Sequence, residues 1–469
     1  MLTYTFSKNS KEPLYQQLYA RIKEDILSGR LAPHVKLPSK RSLAQHLMIS
    51  VATVQNAYGQ LIAEGYLYTK EKQGHFVSAL ETGISVASVQ TAPETSHLPK
   101  SQLEYFLDLR GNSLNEDDFP FSTWAKIMRE VISEQGKRLL QPLGYNGVPE
   151  LRSAIAEYLF HFRGMHTSPE QIIIGAGSEY LYNLILQLLG KGIRYGFENP
   201  GYEKIRRIFQ QNQVDHCPVA LDPEGLSCSS LYGSQAQVVH ISPAHHYPTG
   251  IVMPISRRQE LLAWAGERRD RCIIEDDYDS EFRFTGRPIP TLFSIDHQQR
   301  IIYMNTFTKS IAPSIRISYM VLPWRLLERF QEEMGFYSCT VSSFEQYTLA
   351  KFIAGGGFER HINRMKKTYR QKRDGLIRIV QGSAFADRVV ILEEKAGLHF
   401  LLALRTDLPD REIAQRAHSV GIRLPFLSDY FWGDCPSVYQ HKLVVNYSGL
   451  DLSRLPEAIQ RLEKVFLSR

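Results

Sequence analysis

Apolar residues recur at helical spacing through the first sixty-odd positions, and further along the chain they gather into short continuous runs. Leu14, Leu18, Ile22 and Ile26, with Tyr15 and Tyr19 beside them, predict a helix over 14–27 that Gly29 stops. Ser39, behind Pro38, is placed to cap a short helix carrying Leu43 and Leu47. Ser50 is placed to cap a third, carrying Val54, Tyr58, Leu61 and Ile62, which Gly65 ends. Two β-like runs follow, 66–69 and 75–77, joined by Lys70-Glu71-Lys72-Gln73-Gly74. Three short helices and a hairpin with a basic tip make the pattern of a winged helix-turn-helix.

The stretch 81–99 is rich in Ser, Thr, Ala and Pro and lacks aromatic residues, so 79–104 reads as a linker. From Tyr105 onward strand-like runs alternate with helical stretches. Ile172-Ile173-Ile174 leads into Gly175-Ala176-Gly177 and an apolar helix, and 238–242, 272–274 and 301–304 are further candidates for buried strands. That alternation predicts an α/β sheet that is mostly parallel. The expected organisation is an α+β winged helix-turn-helix over 1–78, a linker over 79–104, a large α/β domain over 105–345 and a small α+β subdomain over 346–469.

Composition narrows the class. The 469 residues are 43% hydrophobic and 22% charged, which excludes intrinsic disorder as a whole-chain description. The net charge is +6, and residues 1–78 alone carry +5. A basic module on a nearly neutral body suggests an anionic partner for the module. Five Cys without a C-x-x-C pair, and no signal-peptide h-region at the start, predict a protein of the reducing cytoplasm. The most apolar stretch, 180–189, is about half the length of a membrane span, so no membrane segment is expected.

The second helix of a helix-turn-helix enters the major groove of double-stranded DNA. Here it begins at Ser50, and Thr53, Gln55 and Asn56 follow, types that reach bases or phosphate. Ser39, Lys40 and Arg41 open the preceding helix, where backbone N–H groups also favour phosphate, and Lys70, Lys72 and His75 border the wing. Solvated lysines on a surface bundle would be the bland alternative. Helix order, caps, wing and charge asymmetry together favour DNA.

Four segments of the larger region form a second constellation. Ile174-Gly175-Ala176-Gly177-Ser178-Glu179 ends a strand at a helix start and offers N–H groups to a phosphate. Asn199-Pro200-Gly201-Tyr202 presents an aromatic face. Ile273 to Asp279 runs a buried strand into Glu275, Asp276, Asp277, Tyr278 and Asp279. Tyr303 to Ser310 brings Thr306 and Lys309 to a strand end, with Arg316 beyond. These are the parts that pyridoxal 5'-phosphate (PLP) needs: an amine for its aldehyde, an acid for the pyridinium, a phosphate cradle and a ring cover. Read one by one they stay ambiguous, since the acids could serve a metal or a glycosidase. His240, His245 and His246 lack an acid or Cys at ligand spacing, so structural or ring-contact roles are expected and no metal site is assigned.

The segment from Leu37 to Leu47, then Ser50 to Tyr58 and Leu61 to Gly65, resembles the GntR-type winged helix-turn-helix, although Val51 and Gln55 stand where that family often has Arg. The region 105–469 resembles fold-type I aminotransferases, and the whole chain resembles the MocR group of regulators. The resemblance implies an aldimine at Lys309, Asp276 on the pyridinium nitrogen, Tyr278 at the ring hydroxyl and Tyr202 stacked on the ring. Ser178, Glu179, Thr306 and Arg316 would surround the phosphate. His245 falls in the motif Ser242-Pro243-Ala244-His245-His246-Tyr247-Pro248-Thr249-Gly250 and counts with the cofactor contacts. The resemblance also implies a head-to-tail homodimer.

Aminotransferases and GabR-type regulators grip a carboxylate with Arg near the C-terminus, where this chain has Val444-Val445-Asn446-Tyr447-Ser448-Gly449 and Gly449 is expected at that position. A second Arg of the GabR type is Lys204 here. The resemblance therefore leans to PLP itself as effector, as in PdxR-type regulators of vitamin B6 synthesis, with no catalytic residues assigned and little sustained transamination. An amine or amino acid acting through PLP, an active aminotransferase fused to a DNA-binding domain, and an inert dimerisation scaffold are the alternatives.

Overall fold

The computed structural model describes residues 2–7, 12–80, 105–110, 118–284 and 289–467. The linker expected over 79–104 lies, beyond residue 80, outside the described residues. The chain divides into two compact units, Met1–Gln102 and Leu103–Arg469.

In the first unit, helices α1 (Leu14–Leu27), α2 (Lys40–Leu47) and α3 (Val51–Ala63) precede strands β1 (Leu67–Lys70) and β2 (Gly74–Val77). Leu18, Ile22, Leu43, Val54, Tyr58 and Leu61 are fully buried between them. Each such aliphatic side chain contributes roughly 1.5–3 kcal/mol by leaving water. Ser39 Oγ accepts from the Ser42 N–H at 3.2 Å and Ser50 Oγ from the Thr53 N–H at 3.1 Å, so both predicted caps form. The strands pair antiparallel with Lys70 opposite Gly74, which puts Lys70 inside the hairpin ladder and not in its connecting turn.

The second unit is built on an eight-stranded sheet. Its strands are β4 (Ile172–Gly175), β5 (Arg194–Asn199), β6 (Asp215–Asp222), β7 (Gly225–Leu226), β8 (Val238–Ile241), β9 (Cys272–Asp276), β10 (Ile301–Thr306) and β11 (Ser318–Val321), after a short β3 (Leu107–Asp108) outside the sheet. The order across the sheet is β4-β11-β10-β9-β8-β5-β6-β7. The five strands from β10 to β6 run parallel, and β11 and β7 oppose their neighbours. Continuous burial of β4, β8 and β10 explains their unbroken apolar sequence, because helices cover both faces. β6 instead alternates buried and exposed positions beside the two-residue edge strand β7.

Toward the C-terminus a 25-residue helix, Gly357–Gln381, leads into an antiparallel sheet of β12 (Val389–Leu392), β13 (His399–Leu404) and β15 (Lys442–Asn446), with β14 (Ile422–Arg423) between the last two in sequence. β14 pairs in parallel with β3, so the start of this unit is held by its end. Among the described residues no helix is long and apolar enough to cross a membrane.

Candidate functional site

The parallel strands β5, β8, β9 and β10, and β4 which runs with them, all finish on one edge of the sheet. There a cleft of about 630 Å³ is lined by Ser178, Glu179, Tyr202, His240, Asp276, Tyr278, Thr306, Lys309 and Arg316, among others. Open α/β sheets place ligands at this edge because loops and helix N-termini converge there.

Lys309 lies in the single turn Phe307–Ser310 directly after β10. Thr306 caps that turn by accepting from the Thr308 N–H at 3.1 Å. Burial pushes the Lys309 amine down to about 8, Lys204 pushes the same way, and Asp279 and Asp276 oppose them. An amine in that range is neutral often enough near neutral pH to act as a nucleophile.

Asp276 closes β9. Its Oδ2 accepts from the Tyr182 hydroxyl at 2.8 Å and lies 3.6 Å from His240 Nε2. That His240 nitrogen is buried and makes no hydrogen bond. The Tyr278 hydroxyl donates to the His245 carbonyl at 3.1 Å, and burial raises its pKa well above the usual phenol range, so it stays protonated. Tyr202 stands half-exposed at the mouth, edge-on to Tyr247.

A positively charged cradle forms where β4 meets the helix Ser178–Leu189. Glu179, in its first turn, takes Lys204 at 2.9 Å and Arg316 at 2.8 Å. Burial alone would raise the Glu179 carboxyl, but those cations and the backbone N–H hold it at about 2. Gly177 has φ +94, and a Cβ there would collide with the Arg316 guanidinium. Arg316 itself has φ 50, the left-handed region that side chains other than Gly seldom adopt.

Eight of the nine expected contacts thus line one cleft, and His245 does not. His245 is buried behind Tyr278, with Nδ1 2.9 Å from Asp279 Oδ2 and its ring 4.4 Å from that of His399. Gly397 presses on the ring so closely that any Cβ would overlap it. A second correction concerns the C-terminal strand. Asn446, the last residue of β15, lines the cleft, and Gly449 does not. Tyr182, Tyr430 and Arg110 stand at the site without being expected from the sequence, and Tyr247 of the Ser242–Gly250 motif lines the cleft. Tyr182 follows the Gly-x-Gly turn by one helical step, a usable signal. Arg110 is brought in by the pairing of β3 with β14, which joins residues 315 apart and leaves no local trace.

In the first unit Ser39, Arg41, Ser50, Gln55, Asn56, Lys70 and Lys72 are exposed, with Lys40 and Thr53 half-buried. The Ser50 and Thr53 hydroxyls lie 2.8 Å apart at the cap of α3. His75 is turned inward: it sits edge-on to Tyr58 at 5.3 Å and pairs with Thr69 Oγ1 at 3.0 Å.

Residues 14–77 match the bacterial regulatory proteins of the gntR family, and residues 109–418 match aminotransferase class I and II. A Bacillus subtilis HTH-type transcriptional regulator, YdeL, described as uncharacterized, is 39% identical over 96% of this chain and 96% of its own. The probable rhizopine catabolism regulatory protein MocR of Rhizobium meliloti is 30% identical over 98% of this chain and 95% of its own. The chain belongs to the MocR group of GntR-type transcription regulators. A further relative of this MocR-group chain is the pyridoxine biosynthesis transcriptional regulator PdxR of Corynebacterium glutamicum, 30% identical over 91% of this chain and 90% of its own.

Class I and II aminotransferases are PLP-dependent, so the residues of this MocR-group chain can be tested against PLP. They fit. An amine of lowered pKa, a carboxylate fixed by a tyrosine, a protonated phenol, and a cradle that a Cβ would fill all face one cleft.

Proposed function

We propose that this chain is a transcription regulator that binds promoter DNA through its winged helix and takes PLP in the cleft at Lys309. PLP occupancy changes its affinity for DNA, which controls genes of vitamin B6 supply. The observation that carries the reading is Lys309, its amine lowered to about 8, in one cleft with Asp276 and the cradle of Gly177 and Arg316. The printed role of the PdxR relative in pyridoxine biosynthesis supports the finer part.

When bound, PLP supplies an aldehyde that combines with primary amines and a ring whose absorption reports that state. The chain's own groups do the rest. Lys309 offers the amine, and Asp276, held by Tyr182, keeps a proton at the ring nitrogen. Tyr278 meets the ring hydroxyl, Tyr202 covers the ring, and Ser178, Thr306, Arg316 and the first N–H groups of the Ser178–Leu189 helix hold the phosphate. Ser39, Lys40, Arg41, Ser50, Thr53, Gln55, Asn56, Lys70 and Lys72 face DNA. His75 acts by supporting the wing. The working assembly is a head-to-tail homodimer in the cytoplasm that presents two winged helices to repeated half-sites, with residues 79–104 as the tether. Coupling requires that PLP bind the DNA-competent and incompetent states with different affinity.

The test is an absorbance spectrum of the protein mixed with PLP, with Lys309→Ala alongside. A PLP band that withstands dialysis in the natural protein and is lost in the variant supports the reading. An identical spectrum for both refutes it. A second reading, an amino acid acting through PLP, is favoured by Arg110, which lines the same cleft.

A further inference from the structure

Positive groups outnumber carboxylates at two places along the cleft wall. Glu179 answers Lys204 and Arg316, in the cradle described above. Glu203 alone faces three guanidiniums, those of Arg207 at 2.6 Å, Arg206 at 3.6 Å and Arg110 at 3.8 Å. Arg207 holds the near oxygen through both Nε and Nη2. Arg206 is drawn onto the Trp432 ring at 4.3 Å. Arg110 is the most loosely engaged of the three, its side chain is 48% exposed, and it lines the cleft.

What surrounds Arg110 is donor-rich. The Tyr247 and Tyr430 hydroxyls, 2.7 Å apart, line the same cleft, and so does the Asn446 amide. Burial raises the pKa of both phenols against the opposing Arg110 charge, so both stay protonated; one hydroxyl donates to the other, which leaves one O–H free to donate into the cleft. The backbone anchors Arg110 firmly: β3 pairs with β14, and the Arg110 N–H donates to Asp108 Oδ1 at 2.8 Å. A planar fork of five donors beside two hydroxyls and an amide matches a carboxylate, which accepts in two parallel bonds.

Resting on the reading that PLP occupies the cleft, we infer that Arg110, with Tyr247, Tyr430 and Asn446, forms a second anion subsite in the same cleft. Its ligand is the carboxylate of a small primary amine. The amine end of that ligand is the group PLP chemistry accepts; the carboxylate end is what Arg110 selects. Asn446, being neutral, cannot supply the charge, and Lys204 is committed to Glu179. Arg110 therefore does from the start of the domain what an Arg on the last strand would do.

The experiment uses the full chain loaded with PLP and follows the PLP band while alanine, β-alanine, ethylamine or propionate is added. Ethylamine is either alanine without its carboxylate. An amino acid is expected to reach half-effect at a concentration roughly tenfold or more below ethylamine, as one charge-assisted bidentate contact provides. Arg110→Gln should erase that advantage, and Arg110→Lys, which keeps the charge and loses the fork, should restore part of it. Equal half-effects for the amino acids and ethylamine, or an advantage that survives in Arg110→Gln, overturn the inference and leave the PLP reading standing. The absence of any PLP band in the natural protein overturns both.

Discussion

The Tyr182 hydroxyl donates to Asp276 Oδ2 at 2.8 Å, so a helix residue fixes the carboxylate that ends β9. The bond orients the acid toward the cleft, with His240 on its other side. If Asp276 holds a proton at the PLP ring nitrogen, Asp276→Asn should weaken PLP retention by roughly tenfold or more, the worth of one charged hydrogen bond. Tyr182→Phe should cost only a few-fold, because it frees the carboxylate without removing it. Equilibrium dialysis against PLP measures both. Equal retention by Asp276→Asn and the natural protein would remove Asp276 from the site.

The Lys309 amine, lowered from 10.5 to about 8 by burial, sets the pH course of PLP uptake. Only the neutral amine attacks an aldehyde. Uptake should therefore speed up as pH rises toward 8 and level off above it. Stopped-flow absorbance across a pH series gives the profile. A rate that still climbs steeply through about pH 10 would mean that the reacting amine is an ordinary exposed lysine.

At the DNA face, Arg41 and Gln55 should fail differently. Arg41→Ala should weaken binding to all DNA sequences alike and lower the salt slope by about 1, as loss of one phosphate contact does. Gln55→Ala should cost roughly 1–3 kcal/mol at one base position and leave the slope alone. Binding measured on matched and mismatched promoter fragments over a salt series separates them. Identical salt slopes for Arg41→Ala and the natural protein would remove Arg41 from the phosphate contacts.

Much of this is legible in the sequence alone. The caps Ser39 and Ser50, the stops at Gly29 and Gly65, and the runs at β4, β8, β9 and β10 follow local rules of spacing and capping, and they form as read. Lys309, Asp276, Tyr278 and Arg316 sit at strand ends or just beyond, where the motif itself fixes their direction. The losses are tertiary. β6 and β11 carry mixed or short patterns whose burial depends on neighbours far away in sequence. His245 lies outside the cleft lining because its partner Asp279 and its neighbour His399 come from distant segments, and Gly397 lets them close around it. Arg110 was missed because its strand finds β14 across most of the domain.

The measurement that bears most directly on the account is promoter affinity as a function of PLP concentration, in the natural chain and in Lys309→Ala. Coupling energies of about 1–3 kcal/mol predict a change of roughly 5- to 150-fold in the natural chain at saturating PLP. Lys309→Ala should hold one affinity throughout. An affinity for promoter DNA that does not move across the titration in the natural chain would contradict the account, whatever the spectrum shows.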